Sequence, residues 1–179
     1  IYQATDPIYE HLADYVNILR GTNDSPAFSR GLNVPAVTTP HGFNFWVPSN
    51  TSVDGRGRNT YTYQANGNYF RHMTISHEAS NWVGDRGTWQ FMINTSIDPE
   101  TGSFGENERK IPFSHEKEVA RVYYYGIEFP EGTNASNTKM ELTPTDHGAV
   151  VRFTFPKDAQ HKNVIFDSIN GSDDGSIIE

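Results

Sequence analysis

The sequence predicts an all-β fold, a two-sheet antiparallel β-sandwich with a short N-terminal helix. Three observations carry this. After Gly21, short runs rich in Tyr, Phe, Val, Ile and Thr alternate with clusters of Gly, Asn, Asp and Pro, the pattern of strands separated by turns. Within several runs the apolar residues alternate, as in Phe153/Phe155 and Val164/Phe166, which suits burial of one face between two sheets. The chain has 179 residues, 35% hydrophobic and 13% aromatic, enough apolar mass for one packed domain and too much for a disordered chain. A closed barrel is the alternative architecture.

In chain order, Asp6-Pro7 reads as a helix start, because Asp caps free N–H groups and Pro fits the first helical position. Ile8, Leu12, Val16 and Leu19 follow at near-helical spacing, so a helix is expected over residues 7–14, with Tyr15–Leu19 as an alternative strand. Tyr61–Gln64 and Tyr69–Ser76 flank Ala65-Asn66-Gly67-Asn68 and read as a hairpin, because Asn-Gly tolerates the positive φ angles of a tight turn. Thr88–Asn94 reads as a strand with Trp89, Phe91 and Ile93 on one face, and Val119–Phe129 as one long strand. Thr138–Thr143, Ala149–Phe155 and Asn163–Ile169 complete the set, with a turn at Pro144–Gly148 and a stop at Pro156-Lys157-Asp158. Ser49–Asn59 and Asp98–Arg109 read as long loops. The chain opens on Ile1 and closes on Ser176-Ile177-Ile178-Glu179, an apolar pair with no closing element, which reads as a piece of something longer.

A net charge of −8 without a Lys/Arg cluster argues against nucleic acid and anionic membranes as partners, and no apolar run reaches the ~20 residues of a spanning helix. The absence of Cys excludes disulfides, thiolate metal sites and Cys nucleophiles. His77-Glu78 and His115-Glu116 begin like zincin motifs, but the position one helical turn on, where a second His must stand, holds Asn81 and Val119. There is no nucleophile elbow and no phosphate loop. Five Asn-x-Ser/Thr sequons begin at Asn23, Asn50, Asn94, Asn134 and Asn170, in a chain rich enough in those residues to produce some by chance.

The most informative segment is SHEASNWVGDRG, Ser76–Gly87, which packs His77, Glu78, Asn81, Trp82, Asp85 and Arg86 between two strand candidates. A sugar site needs this mixture: an aromatic plate for the C–H face of a pyranose, and amide, carboxylate, imidazole and guanidinium groups for its hydroxyls. The plainer reading is a polar loop held by its own hydrogen bonds, with Trp82 capping the core. A second aromatic and polar segment is PHGFNFW, ending at Trp46, whose plainer reading is a core strand after a turn. Glu78 with Asp85 is the one tempting carboxylate pair, and a surface charge pair is its plainer reading.

The order of segments resembles a known family. YVNILRGT (Tyr15–Thr22), FSRG (Phe28–Gly31), PAVTTPHGFNFW (Pro35–Trp46), YTYQ from Tyr61 and SHEASNWVGDRG are followed by FSHEKEVARVYYY (Phe113–Tyr125), MELTPTDHGAVVRFTFP (Met140–Pro156) and NVIFDSING (Asn163–Gly171). Collinear over nearly the whole chain, they resemble the N-terminal domain of glycoside hydrolase family 92, calcium-dependent exo-α-mannosidases that invert configuration. The resemblance implies that residues 1–179 form a single β-sandwich, an N-terminal fragment of a larger enzyme whose helical domain carries the general acid, the base and most of the calcium site. It implies no catalytic residue or metal ligand here and no activity of the fragment alone. His77 and Trp82 become substrate contacts, Asp85 a polar contact or loop organiser, and Trp46 a pocket neighbour. The implied whole is an α-1,2-mannosidase acting in N-glycan degradation, with mannose-containing glycans and its own C-terminal helical domain as partners. The implied location is extracellular, cell-surface or periplasmic in a bacterium. The rival readings are an autonomous carbohydrate-binding module and a purely structural or adhesive β-domain.

Overall fold

The structure, a computed structural model, describes residues 12–23, 31, 33–51, 62–77, 79, 89–102 and 105–168. These form two antiparallel sheets. The first contains β1 (Phe45–Thr51), β2 (Tyr69–Ser76), β3 (Trp89–Asn94) and β9 (Asn163–Ser168) in that spatial order, with the two-residue β4 (Ile111–Pro112) added to β2. The second is a meander of β5 (Glu118–Arg121), β6 (Tyr124–Glu128), β7 (Lys139–Pro144) and β8 (Ala149–Thr154). The chain thus builds most of one sheet, then the whole of the other, and returns to lay β9 beside β3. Phe91 of β3 meets Phe153 of β8 edge to face at 6.1 Å, and Phe70 of β2 stacks on Tyr125 of β6 at 6.4 Å, so the two sheets face one another.

A bulge sets the phase of β2. Ser49 of β1 opposes His72, but Asn50 opposes Phe70, which leaves Arg71 as the extra residue. Phe70 and Met73 are three apart, a spacing that would put them on opposite faces of a regular strand. With the bulge both are fully buried, and Phe70 packs on Tyr125, Phe113 and Phe129. Burying a Phe of this kind contributes roughly 1.5–3 kcal/mol. Pro48 sits in β1 on the edge away from β2, between the Trp46–Val37 bridge and the Asn50 N bond to Thr62 O, where no continuous ladder needs its missing donor.

Several elements differ from the sequence expectation. The N-terminal helix is, among the described residues, one 3-10 turn at Leu12–Tyr15, and Tyr15–Leu19 leads into a turn and forms no strand. Val119–Phe129 is not one strand but the hairpin β5–β6, turning at Val122-Tyr123 with Arg121 opposite Tyr124. Residues 62–64 are extended without forming a strand, and β2 pairs with β1 in place of the expected Tyr61–Gln64. The turn at 65–66 is real, closed by Gly67 N donating to Gln64 O at 2.9 Å. Gly67 stands at its fourth position with no positive φ, as in a type I turn. Its glycine is needed for space: a Cβ there would lie 2.7 Å from the Asn50 side chain, whose amide bridges the N–H and C=O of Gln64. β1 extends into the loop expected from Ser49, and a single helical turn, α1 (Glu106–Arg109), interrupts the loop expected over Asp98–Arg109.

Candidate functional site

Three segments meet at the end of the sandwich where β1 begins and β2 ends. The loop before β1 raises Phe43, β2 runs out into His77, and the β7–β8 turn supplies Asp146 and His147. Phe43 is 63% exposed, and its ring stacks on the His147 imidazole at 4.9 Å with 20° between planes. The His77 ring stands edge-on at 6.2 Å. The backbone under this group is tied on both sides. Phe43 N donates to Asp146 O (2.7 Å), Asn44 Nδ2 to His147 O (2.7 Å), Thr38 Oγ1 to Asn44 O (3.0 Å) and Gly42 N to Thr39 O (3.0 Å). His41 adopts φ 60°, a left-handed conformation unusual for a residue with a Cβ. His77 Nδ1 lies 3.1 Å from Phe43 O, so that nitrogen carries the proton and donates, and in the neutral ring Nε2 is left as an acceptor.

A second cluster lies inside the sandwich. Register puts Glu118 opposite Ile127 on the inward face of β5, while Val119 points outward and is exposed. The Glu118 side chain is 2% exposed, and three groups donate to it. Tyr125 Oη donates to Oε1 at 2.5 Å, Tyr63 Oη to Oε2, and His115 Nδ1 to Oε2 at 2.9 Å. His115 Nε2 also reaches an acceptor, Gly67 O, at 2.8 Å. Acceptors at both nitrogens favour the protonated ring, and the hydrogen bond to Glu118 raises its pKa against the opposing effect of burial; Tyr63 Oη also lies 3.0 Å from Nδ1. Burial, reinforced by the Glu118 charge, pushes the phenols of Tyr63 and Tyr125 well up, so both stay protonated donors. With three donors held, this carboxylate is not placed to activate a water. The cluster instead ties the 64–67 turn to the second sheet.

On the outward face of the second sheet, Tyr124 lies over Gly126 and donates to Glu141 Oε1 at 2.8 Å, while Arg152 Nε donates to Oε2 at 2.7 Å. Burial and this bond push Tyr124 up to about 12, and the Tyr124 bond leads in holding Glu141 below its ordinary value. In the first sheet Arg109 Nη2 pairs with buried Asp167 at 2.8 Å, and Gln90 Nε2 donates to the same oxygen at 2.9 Å. Among the described residues no three His, Asp or Glu side chains are grouped to hold a metal ion. Of the sequons, Asn50 and Asn94 are fully buried in the fold.

Of the site residues expected from sequence, His77 is exposed at the rim. Trp46 lies in the core, 7% exposed, with its ring edge-on to Phe91 at 6.2 Å. Burial of this kind is what the plainer reading of PHGFNFW describes. Trp82 and Asp85, with Glu78, lie outside the described residues. Sequence reasoning passed over Phe43, Asp146 and His147, and it read His115 only as half of a failed zinc motif. The available signal for Phe43 and His147 was their position in turns, PHGF and TDHG, where bulky rings find little to bury them.

Two packed antiparallel sheets, with aromatic and imidazole groups raised on loops at one end, define a β-sandwich that presents its chemistry at a rim. The chain belongs to the glycosyl hydrolase family 92 N-terminal domain, which matches residues 15–178. Its fold is similar to the family GH92 inverting mannosidase BT2199 of Bacteroides thetaiotaomicron VPI-5482, with a TM-score of 0.70 and 32% identity over 87% of this chain and 19% of that one. It is also similar to the family GH92 α-mannosidase BT3965 of Bacteroides thetaiotaomicron, with a TM-score of 0.63 and 24% identity over 87% of this chain and 20% of that one, which bears on fold alone. The chain thus spans about a fifth of the length of these solved mannosidases. No curated protein sequence matches it.

Proposed function

We propose that this chain is the pocket-contributing N-terminal domain of an α-1,2-mannosidase that inverts configuration, depends on calcium and acts on mannose-containing glycans. The observation that carries the reading is the rim at which exposed His77 meets Phe43 and His147, three polar or aromatic groups facing outward from tied loops. β2 ends at this rim and β3 begins beside it, and Trp82 and Asp85 fall between the two strands in the sequence. Inversion needs two carboxylates roughly 6.5–9.5 Å apart with a water between them. In this reading a C-terminal helical domain supplies that pair and the calcium ligands, and residues 1–179 alone hydrolyse nothing at any calcium concentration. Trp89 and Phe166, half exposed and 6.4 Å apart at the β3–β9 side, are apolar surface suited to packing against that domain. In this reading the enzyme works outside the cytoplasm, extracellularly, at the cell surface or in the periplasm of a bacterium.

The test is kinetic. His77→Ala and Trp82→Ala in the full-length protein each lower kcat/KM on an α-mannoside about tenfold or more, with melting midpoints nearly unchanged. Wild-type kinetics beside a collapsed midpoint would return both residues to a structural role.

A further inference from the structure

Phe43 is the feature of the rim that folding alone does not account for. A Phe is normally buried, and this ring is 63% exposed although the core begins three residues on at Trp46. It is also held still. Backbone or side-chain bonds fix the residues on either side of it, and the β7–β8 turn beneath is itself closed by Thr145 N donating to Gly148 O at 2.8 Å. His147 covers one side of the ring at stacking distance. Holding an aromatic ring in place in advance removes the entropy a ligand would otherwise lose in ordering it. The adjoining groups are polar: the His77 ring edge, the His147 ring, and Asp146, whose Oδ1 accepts from Thr39 Oγ1 at 3.3 Å. One apolar plate the size of a six-membered ring, bordered by hydrogen-bonding side chains, matches the two surfaces of a pyranose. A protein partner would call for a broader apolar patch, since stable interfaces bury about 800 Å² per side.

We propose that Phe43, backed by His147, is a sugar-stacking platform that takes the C–H face of one hexopyranose ring, with His77 engaging its hydroxyls. This rests on the glycan-processing reading above and adds to it a residue outside the SHEASNWVGDRG segment. In the full-length protein, calorimetric titration with methyl α-mannopyranoside and with an α-linked mannobiose is compared among wild type, F43A and F43Y. F43A weakens binding of at least one sugar about tenfold, and F43Y, which keeps the ring, restores most of it. Because the ring is exposed, the melting midpoint moves by no more than about 2 °C. Wild-type affinity in F43A, or no binding of either sugar by the wild type, overturns the platform. So does a loss of binding that comes with a lowered midpoint and protease-sensitive separation of domains, which would make the ring a domain contact. Hydrolysis of the mannobiose by the wild type is followed in parallel. Binding that depends on Phe43 without hydrolysis sinks the mannosidase reading and leaves the platform standing.

Discussion

The tripeptide Ser-His-Glu occurs twice in this chain, at 76–78 and at 114–116, and the fold treats the two imidazoles differently. His115 sits between two acceptors, a buried carboxylate and the carbonyl of Gly67, which favour its protonated form. His77 stands at an exposed strand end, with Nδ1 on the Phe43 carbonyl. The charge of the first is favoured by tertiary partners that bind the two sheets together. The second faces solvent beside an exposed ring, where a ligand can reach it. A His-Glu dipeptide therefore says little about chemistry until its acceptors are known.

The comparison breaks most easily at Glu118. Glu118→Ala removes the acceptor from two phenols and an imidazole ring inside the sandwich, and is expected to destabilise the fold by about 3–5 kcal/mol, read as a shift in the urea midpoint. A loss below about 1 kcal/mol would show that the cluster is not a structural tie. Next comes Gly67→Ala, which pushes a methyl group into the Asn50 side chain beneath the carbonyl that His115 holds. About 1–3 kcal/mol is expected, with the slope of the unfolding curve unchanged.

A smaller effect comes from pH. The folded pKa of His115 is raised, so between the unfolded value of about 6.5 and the folded one the native state keeps a proton that the unfolded chain has released. Stability from this pair is complete below about pH 6.5 and declines as pH rises through the folded pKa. His115→Gln should flatten that decline, and an unaltered profile would place the pH dependence elsewhere. Smallest is the effect of His77→Ala on stability, expected within about 0.5 kcal/mol because the ring is exposed. The kinetic loss proposed for the same variant makes the contrast with His115 complete.

Much of the fold was legible because turn chemistry and alternation are local. The Pro144–Gly148 turn and strands β7, β8 and β9 fell close to where Pro, Gly and alternating apolar residues put them, but Val164 and Phe166 of β9, expected between the sheets, are 44% and 50% exposed. The β5–β6 turn was hidden because Val122-Tyr123 carries no turn residue and continues an aromatic run. The Asn66-Gly67 turn was found for the wrong reason, since positive φ was the expected role of a glycine whose missing Cβ makes room for Asn50. Glu118 was invisible as a core residue because polarity in a strand normally marks the outer face, and the donors that reverse this come from 55 residues upstream and 7 downstream. The same holds for the rim, where Phe43 meets residues 34 and 104 positions away only after the sheets form.

The bulge in β2 has a consequence for how the gene can change length. Loss of one residue from a strand usually turns half of it inside out. Arg71 is the exception. Without it His72 and Phe70 become neighbours, Ser49 and Asn50 meet consecutive partners, and Phe70 and Met73 still face the opposite sheet. A single-codon deletion there straightens the strand and keeps its core side chains, whereas the same deletion at Met73 removes one of them.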